Sequence, residues 1–337
     1  MGYTPWRSEQ YQATQHRRTV TGSAFSYHRA QAAQPMSQRR VHGDLDPKWT
    51  NHAGQKIRES RDSAAHPNSL AIATLFDQTG SMGEGPVILQ RKLGTLMKVL
   101  LERGYVASPH VLFGAIGDAH AGEVAPLQVG QFESGLEMDT QLDNLYLEGC
   151  GAGNGGETYG LGLYFMARHS SIDCWGKRHQ KGFLFLIGDE CPHRAITRQE
   201  AFTYVGDKIE RDLTIEQVVT EAQRMYEVFF LHVRTSSAIA QDSLSVWRKL
   251  LGDHVIQLEG LDNISEIIAI TVGMSLGAID SAAQGVNDLI ASGADPGAAR
   301  RAGNSLAQLT PPGGGIAARS TGNLPTSRRG QGGSSRL

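Results

Sequence analysis

Three oxygen-bearing side chains stand two residues apart in LFDQTGSM: Asp77, Thr79 and Ser81. One carboxylate and two hydroxyls at that spacing can turn inward together from a tight loop. A hard cation such as Mg²⁺ takes such a set, with oxygen ligands, few carboxylates, and water in the remaining octahedral positions. Two further stretches offer the same chemistry. The loop Gly155-Gly156-Glu157-Thr158 supplies a hydroxyl, and FLIGDE supplies the carboxylates of Asp189 and Glu190. Taken singly, Asp77 or Asp189 reads as the cap of a following helix, where Asp and Ser are common. Two carboxylates and three hydroxyls converging from three loops shift the reading to a metal.

The elements that must position these loops alternate between strand and helix. SLAIATLF (69–76), HVLFGAI (110–116), GFLFLI (182–187), YEVFFLHV (226–233) and VIQL (255–258) are short apolar runs, as in strands buried on both faces, and 127–129 reads as an edge strand. Helices are expected from Pro86 to about Arg103, over 136–147, 159–169 and 244–251, from a Thr214/Gln217 capping box to about Met225, and from a cap at Asp262 to about Leu276. Strands alternating with helices predict an α/β fold with a doubly wound, mostly parallel central sheet and helices on both faces. In such sheets ligands bind at the carboxyl ends of the strands, and the polar residues above follow those ends.

In this order and on these elements, DQTGSM, GGET and FLIGDE resemble the metal-ion-dependent adhesion site of von Willebrand factor A-type (VWA) domains. That family's first motif, Asp-x-Ser/Thr-x-Ser after the first strand, is matched by Asp77, Thr79 and Ser81. Its lone loop threonine is matched by Thr158, and its aspartate after the fourth strand by Asp189. The resemblance covers residues 67–280 and implies a Rossmann-like VWA fold, Mg²⁺ as the cofactor with Mn²⁺ or Ca²⁺ as alternatives, and capture of a protein partner's Asp or Glu at the metal. Signal-less proteins of this kind imply a partner of the MoxR-type AAA+ ATPase class, with the chain as its adaptor and not an enzyme. One departure is that the family's Thr-Asp-Gly is here Gly188-Asp189-Glu190; Glu190 reads as a solvated loop residue.

Asp118, His120 and His193 fall at the same sheet edge and form a rim. They read as hydrogen-bonding residues that shape the loops, with a second metal or an acid/base pair as the sharper alternative. Asp207 reads as a turn residue. Residues 151–156 formally fit G-x-G-x-x-G, but a dinucleotide site needs that run directly after a first strand. Two other functions stay open: a Mg²⁺-dependent hydrolase using Asp77, Asp189 and the rim, and a structural assembly subunit.

The 337 residues carry a net charge of −2, distributed as roughly +5 over 1–60, roughly +5 over 290–337, and roughly −12 between. Nothing in this balance points to specific nucleic-acid binding. Residues 1–66 lack a sustained period and read as an extended N-terminal arm. Residues 281–337, rich in Gly, Ser and Arg, read as a disordered tail. Three unpaired cysteines (150, 174, 191), the absence of an apolar leader and the absence of a membrane-length apolar run give a cytoplasmic expectation with no membrane contact.

Overall fold

In the computed structural model, which describes residues 4–22, 24–51, 53–82, 85–149, 156–234 and 238–307, the apolar runs become strands of one sheet. Among these residues the strands are, in chain order, β1 (Arg58–Ser60), β2 (Ser69–Asp77), β3 (Ser108–Ile116), β4 (Leu127–Val129), β5 (Ser170–Ile172), β6 (Gly182–Gly188), β7 (Ala195–Ile196), β8 (Leu213–Thr214), β9 (Tyr226–Val233) and β10 (Val255–Leu258). The main sheet runs β10-β9-β6-β2-β3-β4 and is parallel except at the edge strand β4. β2, β3 and β6 are buried along their full length, as their near-continuous apolar sequence requires. The fold is the expected doubly wound one.

The strand order doubles back at β2. From there the chain moves outward to β3 and β4, then returns to build β6, β9 and β10 on the other side. β2 and β6 therefore flank a topological switch point, where the carboxyl ends leave a crevice. Register sets the depth of that crevice: Asp77 lies opposite Ile116, and Phe76 opposite Ile187. The chain leaves all three central strands at one level.

The helices are α1 (Ser8–Thr21), α2 (Ser26–Ala32), α3 (Gly85–Glu102), α4 (Glu137–Asp143), α5 (Tyr159–Arg168), α6 (Asp173–Arg178), α7 (Arg198–Glu200), α8 (Ile215–Ala222), α9 (Ala238–Leu251), α10 (Ile264–Ser275), α11 (Ala282–Ala291) and α12 (Pro296–Ala307). α3 and α10 pack together on one face, and α5 with α8 and α9 on the other. α5 matters most for the site. Tyr159 through Met166 are all buried, as suits a helix apolar on every side. A Cβ at Gly162 would stand 3.0 Å from the side chains of Leu75 and Ile116. Glycine there lets α5 lie directly on β2 and β3, bringing its first residues to the crevice.

The expected Thr214/Gln217 capping box is present at α8. Three expectations are corrected. Asp262 does not cap α10, which starts at Ile264 after a 3₁₀ turn; its backbone oxygen accepts from Lys92 and its carboxylate pairs with Arg301 of α12. Residues 1–66 are not simply extended. Tyr11 of α1 is buried against α3, where a Cβ at Gly94 would meet its ring at 2.5 Å. Arg18 binds Asp139 at 2.6 Å, β1 pairs with β5, and the fully buried Arg58 guanidinium donates to the carbonyls of Asp46, Val129 and Gly130. Lys56, Tyr164 and His169 converge on Asp207, which is an anchor of this segment and not a plain turn residue.

The third correction concerns the tail. Its first part folds: α11 and α12 pack on α10 and on each other, burying Leu289, Ala299, Ala302 and Leu306. The small residues that suggested disorder permit close helix contact. A Cβ at Gly285 would lie 2.8 Å from Ile270, and one at Gly303 2.6 Å from Val286. Residues 308–337 lie outside the described residues. No helix among the described residues is long and apolar enough to cross a membrane.

Candidate metal centre

Asp77 ends β2 and is fully buried. Its Oδ1 accepts from the Thr79 backbone N–H at 2.7 Å and the Thr79 hydroxyl at 2.6 Å, closing a tight turn. Its Oδ2 accepts from the Tyr159 hydroxyl at 2.9 Å. Ser81 lies on the 3₁₀ turn Gly80–Met82; its side chain falls outside the described residues, as do residues 151–155 of the glycine-rich loop. Thr158, just before α5, donates its backbone N–H to Gly117 at 3.0 Å, and its hydroxyl oxygen accepts from the Ala119 N–H at 2.8 Å. The loop after β6 is fixed from α9: Ser243 donates to the Asp189 carbonyl at 2.7 Å and Trp247 to the Glu190 carbonyl at 3.0 Å. Asp77, Thr79, Thr158 and Asp189 are thus all buried at the carboxyl ends of β2, β3 and β6.

The departure at Gly188 has a steric cause. A Cβ there would fall 1.8 Å from the Tyr159 hydroxyl and 3.1 Å from Asp77 Cβ. The tyrosine, braced edge-on by Phe230 and Trp247, occupies the space a larger residue at 188 would need. Tyr159 is a site residue that the sequence did not disclose, although it follows Thr158 directly.

Acidic groups outnumber what the motifs suggest. Burial pushes the Asp77 carboxyl up to about 7, with the charge of Asp189 adding to it against the Thr79 and Tyr159 hydrogen bonds. Glu157 is pushed up to about 10 by burial, then by Asp77, Asp118, Glu123 and Glu190. Burial also carries Glu123 up to about 8. Glu190, expected in solvent, is half-buried, and burial followed by Asp189 and Asp118 raises it too. One buried carboxylate oxygen on each of Glu123, Glu157 and Glu190 has no hydrogen-bond partner among the described residues. Buried carboxylates are costly unless a proton or a cation neutralises them. Unpartnered oxygens on several buried carboxylates fit neutralisation by a hard divalent cation, so the residues present suit Mg²⁺.

The rim residues do come together. Asp118 is fully buried, caps the 3₁₀ turn Ala119–Ala121 through the His120 N–H at 2.8 Å, and lies 2.8 Å from His193 Nε2. The His120 and His193 rings stack with centroids 3.7 Å apart. His120 Nε2 lies 2.9 Å from Glu200 Oε1, while Glu200 Oε2 closes a capping box with Thr197. Glu200 is a further residue the motif reading missed; the sequence signal was that box, Thr197-x-x-Glu200. One ligand atom from each of Asp118, His120 and His193 lies within 4.8 Å of the others, a possible metal-binding triad.

No protein-family model matches the sequence, and no curated protein matches it. Among solved structures, the pilus adhesin SpaC from Lactobacillus rhamnosus GG is similar over 65% of this chain and 31% of that one, at 10% identity and a TM-score of 0.45. Proximal thread matrix protein 1 from the mussel byssus is similar over 67% of this chain and 51% of that one, at 9% identity and a TM-score of 0.42. The vWF domain of the type V pili tip protein Mfa5 from Porphyromonas gingivalis is similar over 62% of this chain and 95% of that domain, at 11% identity and a TM-score of 0.40. This chain therefore spans about a third of the SpaC chain and about half of the mussel protein.

Proposed function

We propose that this chain is a VWA-type interaction protein in which Asp77, Thr79, Ser81, Thr158 and Asp189 hold a divalent cation of the Mg²⁺ class and present it to a carboxylate of a protein partner. The observation that carries this reading is the buried acidic cluster at the switch point, whose members act on one another and leave oxygens unpartnered. A cation held mainly by hydroxyls and few carboxylates keeps an electrophilic open position, which suits carboxylate capture better than generation of hydroxide. Around it the chain's own residues do the positioning. Tyr159 and Thr79 fix both oxygens of Asp77, and α9 fixes the Asp189 loop. The activity is recognition, not catalysis, and an AAA+ ATPase presenting an acidic residue is the partner class proposed.

Thermal unfolding with chelator and with Mg²⁺, on the full chain and on Asp77→Ala, tests the metal. A ligand at about 100 times its Kd stabilises by about 2.7 kcal/mol; the unsubstituted chain shows a gain of that order and Asp77→Ala shows none. An equal response in both chains removes the site. Mg²⁺-dependent capture of a MoxR-type ATPase, abolished by substituting its acidic residue, tests the partner.

A further inference from the structure

We propose that Asp118, His120 and His193 form a second metal site, for a borderline divalent transition ion of the Zn²⁺ class, with Glu200 as its positioning residue. The donor set differs in kind from that around Asp77. Two imidazoles and one carboxylate suit Zn²⁺ and its neighbours, whereas Mg²⁺ favours oxygen alone. Three protein ligands leave a fourth tetrahedral position open, the arrangement in which Zn²⁺ accepts water or an exogenous donor.

The geometry is already gathered. The three ligand atoms lie within 4.8 Å of one another, and His193 Nε2 and Asp118 Oδ1 are 2.8 Å apart. Asp118 is fixed at full burial by its own turn, and the His193 ring is held against Gly156, where a Cβ would fall 2.8 Å from Nδ1. His120 carries the further mark of a ligand. Its Nε2 lies 2.9 Å from a carboxylate that is itself buried and tied into a helix cap. Metal-ligating histidines commonly donate their other N–H to such a group, which sets tautomer and ring orientation. With Nε2 held by Glu200, ligation is assigned to Nδ1. A rim of hydrogen bonds accounts for the Asp118–His193 pair. The second imidazole, stacked on the first and oriented by its own carboxylate, completes a three-ligand set.

The two sites share a wall, because Thr158 binds both Gly117 and Ala119, and Glu157 bonds Cys191 and His193 through its backbone. The inference nevertheless stands on its own residues and does not depend on the reading of Asp77. The test is Zn²⁺ titration calorimetry on the chelator-stripped full chain with Mg²⁺ saturating, alongside visible absorption of the Co²⁺-substituted protein. The unsubstituted chain and Asp77→Ala each bind one Zn²⁺ with sub-micromolar affinity. His193→Ala and His120→Ala lose it by at least about 100-fold, and Glu200→Gln weakens it about 10- to 100-fold. An unchanged far-UV circular dichroism spectrum and a retained cooperative unfolding transition in His193→Ala, or failing that in His193→Gln, show that the fold survives. The proposal is overturned if the unsubstituted chain takes no Zn²⁺, if His193→Ala binds as tightly, or if binding vanishes with Asp77→Ala or with excess Mg²⁺.

Discussion

Replacing Asp77 by asparagine should make the metal-free protein more stable at neutral pH, against the usual effect of substituting a buried, hydrogen-bonded residue. The carboxyl moves from 3.8 in the unfolded chain to about 7 in the fold. Between those values the folded state keeps a proton that the unfolded chain has released, so stability falls as pH rises through the window. At 1.36 kcal/mol per tenfold difference in proton affinity, the charged carboxylate costs the fold about 4 kcal/mol above pH 7. Asparagine removes that cost but weakens the bonds from Thr79 and Tyr159, for a loss of about 1–2 kcal/mol. Asp77→Asn in chelator is therefore expected to gain about 2–3 kcal/mol at pH 7.5 and to lose its advantage below pH 4. Saturating Mg²⁺ should close the gap at pH 7.5 by stabilising only the unsubstituted chain. Urea unfolding at both pH values, with and without Mg²⁺, reads all four numbers. If Asp77→Asn is destabilising by the same amount at both pH values in chelator, the carboxylate is not under the strain described and the reasoning fails.

Two other substitutions probe the scaffold. Gly188→Ala should destabilise by about 1–3 kcal/mol, because its Cβ would overlap the Tyr159 hydroxyl 1.8 Å away; in Gly188→Ala/Tyr159→Phe the combined loss should fall below the sum, and strict additivity would show that the two positions do not compete for space. Tyr11→Ala should cost about 3–5 kcal/mol and raise hydrogen exchange in α1, since Tyr11 is the buried residue of that helix; an unchanged unfolding midpoint would mean that α1 rests on the domain without being held.

The sheet was legible because its strands are apolar on both faces, so their length and boundaries stand out without periodicity. The positions of Asp77, Thr158 and Asp189 then follow from the rule for strand ends. What the strand-end rule does not supply is the inward side of the loops. Glu157 lies inside GGET and Glu123 sits five residues beyond Asp118, yet nothing in spacing says that either carboxylate turns toward the crevice. Tyr159 was hidden for another reason: an aromatic at the start of an apolar helix reads as core, and here it is both core and a hydrogen-bond donor. α11 and α12 escaped because burial there is achieved by glycine and alanine, which contribute little hydropathy but allow helix axes to approach closely. The N-terminal segment escaped because a few isolated anchors, Tyr11, Phe25, Leu45 and Arg58, hold a long polar stretch.

That segment has a consequence for how the protein is made. Its first sixty residues leave the ribosome early, but what they dock on comes late: Asp139 for Arg18, Ser170 for Arg58, Asp207 for Lys56. Lys56 and Asp207 are 151 positions apart, and at about 5–20 residues per second that interval lasts on the order of 10 s or more. Tyr11 is without its native surface until α3 has been made, and Phe25 until Asp143 of α4 has. The nascent chain therefore carries an undocked basic, aromatic segment ahead of a domain still being synthesised, and the closing of β1 onto β5 is a late event in its maturation.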